Sequence, residues 1–179
     1  MEIAEYEARM PLIRKRLPNM HLNTTHGEIN IPDEYRYKWV VLLCHPGNVK
    51  FPCLTEFIPF AKRIQEFKNL NAELFGLTLE QKCPDIKCIS WLRHNLKMKI
   101  PFPVSIGDTD NVSQIKEIII PCRGAIKVRG IFIIDPEGIL CLMMYYLKKL
   151  NGEVDGVLDT LKYLQARRTI RRQHQKLVQ

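Results

Sequence analysis

The stretch that most constrains the fold runs from Trp39 to Phe67: the apolar run WVVLLCH, the turn signal Pro46-Gly47-Asn48, and then CLTEFIPFAKRIQEF, which opens at Cys53. Val40, Val41, Leu42 and Leu43 form a short continuous apolar run ending at a turn, the signature of a strand buried on both faces. Beyond the turn, Leu54, Phe57, Ile58, Ala61, Ile64 and Phe67 recur at helical spacing and give one apolar face to a helix starting near Pro52, a residue type suited to a first helical position. Cys53 therefore falls in the first turn of a helix that follows the C-terminal end of a strand. Unpaired N–H groups and the positive end of the helix dipole favour an anion there. A thiol so placed ionises more readily than a free one, and the thiolate is the reactive form.

The remaining elements alternate around this unit. A hairpin turning at His26-Gly27 is expected over 20–31, the central strand over 38–44, the helix over 53–70 and a second buried strand over 72–79. A helix follows over 84–99, then a short strand over 103–106 and a short helix over 111–118. Two strands over 129–135 and 139–146 flank the turn Pro136-Glu137-Gly138, and a last helix over 152–165 buries Val154, Val157, Leu158, Leu161 and Leu164. Strand–helix alternation closing on a hairpin implies an α/β sandwich with a mixed sheet. At 179 residues and 46% hydrophobic content the chain fits one domain with a full core. It divides into an N-terminal extension over 1–11, a domain over 12–165 and a basic tail over 166–179.

Charge and cysteine usage exclude several function classes. No apolar run reaches the roughly 20 residues needed to span a bilayer, and no signal-peptide core opens the chain, so a cytoplasmic protein is expected. Six cysteines are spread without C-x-x-C pairs, which signals neither a metal site nor a thioredoxin-type dithiol. The formal charge of +8 is concentrated after Ala166 in Arg167, Arg168, Arg171, Arg172 and Lys176. Such a tail could touch nucleic acid, an anionic surface or an acidic partner. With no interleaved aromatic for base stacking, a solvated and partly disordered terminus is the fuller reading and nucleic-acid binding the lesser one.

The residues from Cys44 to Glu56 resemble the active-site stretch of the peroxiredoxins, the alkyl hydroperoxide reductase C and thiol-specific antioxidant family, whose pattern is P-x-x-x-T/S-x-x-C. His45, Pro46, Cys53, Thr55 and Glu56 match, and Lys50 stands at the hydroxyl position. The resemblance runs from about Leu12 to Gln165 and includes LNTTHG at 22–27, FGLT at 75–78, IPFP at 100–103 and VRGIFIIDPEG at 128–138. Through the spacing of Trp91 and of Met144-Tyr145-Tyr146 it is nearest the one-cysteine and archaeal subgroup. The resemblance implies a thioredoxin-like fold, a central mixed β-sheet flanked by helices with an N-terminal β-hairpin. It also implies Cys53 as the peroxidatic cysteine and Arg129 as the active-site arginine.

Peroxide reduction by a thiol needs negative charge stabilised twice, first on sulfur and then on the departing oxygen. Helix N–H donors and a fixed cation do this best where water is excluded. Arg129, on a strand beside the central one, offers a planar fork of donors. Pro46 would shield the sulfur, Glu56 could hold the guanidinium by a charge-assisted pair, and Lys50 could favour the thiolate electrostatically. His45 reads as a packed or hydrogen-bonded histidine rather than a base. Cys44, Cys88 and Cys141 read as small hydrophobes; Cys122 and Cys83, each beside a proline, are the better candidates to resolve an oxidised Cys53. The implied partners are a peroxide substrate, a thiol reductant (a thioredoxin-like protein or a small thiol) and a second copy in a homodimer or larger homo-oligomer. No cofactor or metal is implied. Because an ammonium has donors and no acceptor, Lys50 also admits a second reading, a catalytically impaired relative with a redox-sensing or structural role.

Overall fold

The computed structural model describes residues 13–45, 53–78, 94, 99–106, 129–146 and 153–177, with the main chain alone at 53, 54, 153 and 175–177. Strands β1 (Met20–Thr24) and β2 (Gly27–Ile31) form the expected hairpin. Its turn suits the sequence: Gly27 adopts φ +103°, and the Thr24 hydroxyl donates to the Gly27 carbonyl at 2.6 Å. The main sheet has the order β4-β3-β5-β6, built from β3 (Trp39–His45), β4 (Ala72–Thr78), β5 (Arg129–Ile134) and β6 (Leu140–Tyr146). Pairing of β3 with β4 is parallel, and that of β3 with β5 and of β5 with β6 antiparallel. The expected mixed sheet is therefore present.

The apolar run of β3 is explained by what covers it. Trp39, Val41 and Leu43 join a core with Phe57, Phe60, Phe67 and the last helix, while Val40, Leu42 and Cys44 join a second core with Met20, Leu22, Ile29 and Ile31 of the hairpin. Alternate side chains thus serve opposite faces, and a strand covered on both sides must be apolar throughout. Phe67 is fully buried, which contributes about 1.5–3 kcal/mol.

Three expected elements differ in extent. The helix expected over 53–70 is broken into a 3-10 turn (Cys53–Phe57), α1 (Ile58–Lys62) and α2 (Ile64–Asn69). Pro59 explains the first break, because it has no N–H to donate back to residue 55 and suits the first turn of a new helix. The strand expected over 103–106 is reduced to isolated bridges, Thr24 with Ser105 and Gly76 with Val104. The last helix, α3 (Glu153–Leu177), runs past the expected end at 165 through the segment expected to be partly disordered. No glycine or proline interrupts it after Gly156, and its acidic residues Glu153, Asp155 and Asp159 lie towards the N-terminus with the cations towards the C-terminus, as the helix dipole favours. Arg168 pairs with Asp135 and Glu137, and Arg172 with Glu137, tying the extension to the turn between β5 and β6. The extension expected over 1–11 and the helices expected over 84–99 and 111–118 lie outside the described residues, apart from His94 and Lys99.

Candidate functional site

The C-terminal end of β3 defines one end of the sheet. His45 closes that strand opposite Thr78 of β4, Cys44 is opposite Gly130 of β5, and Arg129 is opposite Tyr146 of β6. The 3-10 turn that begins at Cys53 comes back to this same end, because its Glu56 reaches Arg129. The Arg129 Nε donates to Glu56 Oε2 and Nη2 donates to Oε1, both at 2.7 Å. This is a two-point, charge-assisted pair between side chains only 15% and 19% exposed.

His45 completes the arrangement. Its side chain is 2% exposed, and its Nε2 lies 3.4 Å from Glu56 Oε2. Burial alone would raise the Glu56 pKa. The His45 and Arg129 side chains overcome that and hold it at about 2, against an ordinary 4.5. Glu56 is therefore a carboxylate at every physiological pH, and it fixes the Arg129 fork at the strand ends. Behind it, the Thr78 amide donates to Ser105 Oγ at 2.9 Å, and the two hydroxyl oxygens lie 3.3 Å apart. Both residues are buried. Thr78 and Ser105 were not among the residues singled out from sequence, since a lone hydroxyl at a strand end carries no distinguishing pattern.

A close approach of backbone to ring seats the turn. A Cβ built on Gly76 would stand 2.8 Å from the Phe57 ring, so glycine in β4 lets the residue next to Glu56 press directly onto the sheet. Gly76→Ala is expected to cost about 1–2 kcal/mol by overpacking, measured by urea unfolding, and to displace the turn that carries Glu56.

The site residues named from sequence are thus partly assembled. Glu56, Arg129 and His45 converge, and position 53 lies one 3-10 turn before Glu56. Pro46, Lys50, Cys83 and Cys122 lie outside the described residues. Two other thiols are described. Cys44 is 3% exposed, and burial pushes its pKa well up. Cys141 is pushed up to about 11 by burial and then by the charge of Asp135. Both are neutral thiols at pH 7, in keeping with their reading as packing residues. Among the described residues no group of three or more His, Cys, Asp or Glu side chains could hold a metal ion, and no helix is long and apolar enough to cross a membrane.

Known proteins resemble this chain in sequence and fold. The AhpC/TSA family profile matches residues 13–143. A peroxiredoxin of Thermotoga petrophila is 41% identical over 159 residues, covering 89% of this chain and 74% of that one. Peroxiredoxin 2 of Sulfurisphaera tokodaii is 40% identical over the same length, covering 89% and 75%. The solved yeast mitochondrial 1-Cys peroxiredoxin, 29% identical, superposes with a TM-score of 0.70 over 88% of this chain and 78% of its own. With the family profile matching residues 13–143 and peroxiredoxin relatives about 40% identical over 89% of its length, the chain belongs to the AhpC/TSA family, that of the peroxiredoxins.

Proposed function

We propose that Cys53 is the residue through which this chain acts as a thiol peroxidase on hydrogen peroxide or alkyl hydroperoxides. The observation that carries the reading is the Arg129 fork, held by Glu56 at the strand ends, with Cys53 opening the 3-10 turn that holds Glu56. The Cys53 thiolate attacks one peroxide oxygen, the O–O bond breaks, and the other oxygen leaves with a proton as water or an alcohol. Sulfur is oxidised by two electrons to a sulfenic acid while the peroxide is reduced. Arg129 supplies N–H donors to the charge that moves from sulfur to the departing oxygen, without reorganising during the reaction. In this reading Pro46 would shield the sulfur and Lys50 would favour the thiolate electrostatically. A thiol then attacks the sulfenic sulfur and expels water, and a second thiol releases Cys53. The yeast protein is described as resolved through glutathione/thioredoxin systems; a thioredoxin-like protein or a small thiol is the corresponding reductant class here, with Cys122 or Cys83 as the internal alternative. A cytoplasmic homodimer or larger homo-oligomer fits the reading, with the terminal strand β6 as a candidate edge for pairing.

The test is a single turnover of reduced protein with hydrogen peroxide, trapping the sulfenic acid and mapping it by mass spectrometry. Fast oxidation confined to Cys53 is expected. Oxidation spread over several cysteines at the rate of an unactivated thiol would sink the proposal. The impaired-relative reading rests on Lys50 and is not favoured by the peroxiredoxin relatives. It requires a large gain in peroxide reactivity for Lys50→Thr, whereas the peroxidase reading expects a modest change.

A further inference from the structure

Among the described residues, one side of α3 is used by the fold and the other is uncovered. Val154, Val157, Leu158 and Leu161 face the core, and Arg168 and Arg172 continue that side as ion pairs to the turn between β5 and β6. On the opposite side, Tyr163, Arg167, Ile170 and His174 follow one another at spacings of four, three and four, a single row on a helix surface. All four are exposed, and Tyr163 at 57% and Ile170 at 54% are two of the four exposed large hydrophobic residues among those described. The Arg167 guanidinium lies over the Tyr163 ring, 5.8 Å from its centroid, and its Nη1 donates to the Tyr163 hydroxyl at 3.1 Å. Its conformation is therefore set before any partner arrives. Tyrosine and arginine are the residues that most often dominate binding energy at protein interfaces.

We propose that this outer row, flanked by Arg171, is a docking surface for an acidic amphipathic helix of another protein. The spacing is that of a helix–helix seam. The sign of the charge selects the occupant: from Ala166 to Leu177 there are five Arg or Lys residues and no acidic one. Among the described residues, the acidic ones paired with this segment, Asp135 and Glu137, are engaged by Arg168 and Arg172 on the inner side. A second copy of this segment, with five cations and no acidic residue from Ala166 to Leu177, would meet like charge, so self-pairing is disfavoured. The apolar members, Tyr163 and Ile170, favour a protein surface over a bare phosphate backbone. The inner side of the extension is tied to Asp135, just past the end of β5 opposite Arg129. A six-residue strand spans about 20 Å, so a partner held there leaves the candidate site open. The surface is accordingly a tether and not the place where a reductant meets Cys53.

The experiment uses the full chain and a synthetic helical peptide about four heptads long, with Leu at the first and fourth heptad positions and Glu beside them. Fluorescence anisotropy should show binding that weakens as salt rises from about 0.05 M to about 0.5 M. Binding should weaken by about tenfold or more in Arg167→Glu/Arg171→Glu and also in Ile170→Asp. A matched peptide with Lys in place of Glu should not bind. Circular dichroism and peroxide consumption should be unchanged in these variants. Equal affinity in the variants, a duplex DNA fragment bound as tightly as the acidic peptide and indifferent to Ile170→Asp, or self-association in sedimentation that Ile170→Asp abolishes, would each overturn the proposal.

Discussion

Arg129→Ala is expected to slow oxidation of Cys53 by hydrogen peroxide by roughly 10²–10³-fold, the loss typical of removing one preorganised donor to developing negative charge. The magnitude follows from how the fork is held. Both Glu56 oxygens accept from it at 2.7 Å, and neither side chain is more than a fifth exposed. The guanidinium is therefore oriented before substrate arrives, which is where such donors gain their effect. Arg129→Lys keeps the charge but cannot make the two-point pair, so it should recover only part of the loss. Stopped-flow oxidation of the reduced protein under pseudo-first-order peroxide reads these rates, with Cys53→Ser as the zero. An Arg129→Ala rate within threefold of wild type would remove Arg129 from the mechanism.

Much of this architecture was legible in the sequence because the signals were local. The continuous apolar run Val40–Leu43 announced a strand covered on both sides, and Pro136-Glu137-Gly138 announced the turn between β5 and β6. What was not legible depends on residues far apart. Nothing near Arg129 indicates a partner 73 positions earlier; only the chemistry of a guanidinium that needs a carboxylate to hold it points to Glu56. The run from Arg167 to Arg172 reads as a solvated tail because Asp135 and Glu137, which neutralise its inner side, belong to a turn some thirty residues away. Pro59 sits inside a continuous amphipathic pattern, yet its missing N–H divides the helix and leaves a 3-10 turn at Cys53. Periodicity alone does not distinguish that turn from a first turn of α-helix. The relation of Cys53 to Cys83 and Cys122 was open in the sequence, and both candidates fall outside the described residues.

The same ion pair should make the protein acid-sensitive in a way that one substitution removes. Glu56 titrates at about 2 in the folded chain, against 4.5 for an unperturbed carboxyl. The unfolded chain therefore binds its proton more tightly than the folded one. Stability from this group is fully present above about pH 5 and is lost as pH falls through 4.5 towards 2. A shift of this size corresponds to about 3 kcal/mol, of which about 2 kcal/mol is gone by pH 3. The exposed carboxylates Glu34 and Glu66 are also lowered, by hydrogen bonds from Asn30 and Arg63, so wild-type acid sensitivity has several contributors. Glu56→Gln isolates this one. The variant should be less stable than wild type at pH 6, because Arg129 loses its charged partner, and the deficit should shrink by about 2 kcal/mol at pH 3. Urea unfolding of both proteins at the two pH values measures the change. A deficit unchanged between pH 6 and pH 3 would mean that Glu56 is not held ionised by Arg129 and His45. The orientation of the arginine at the strand ends would then need another cause.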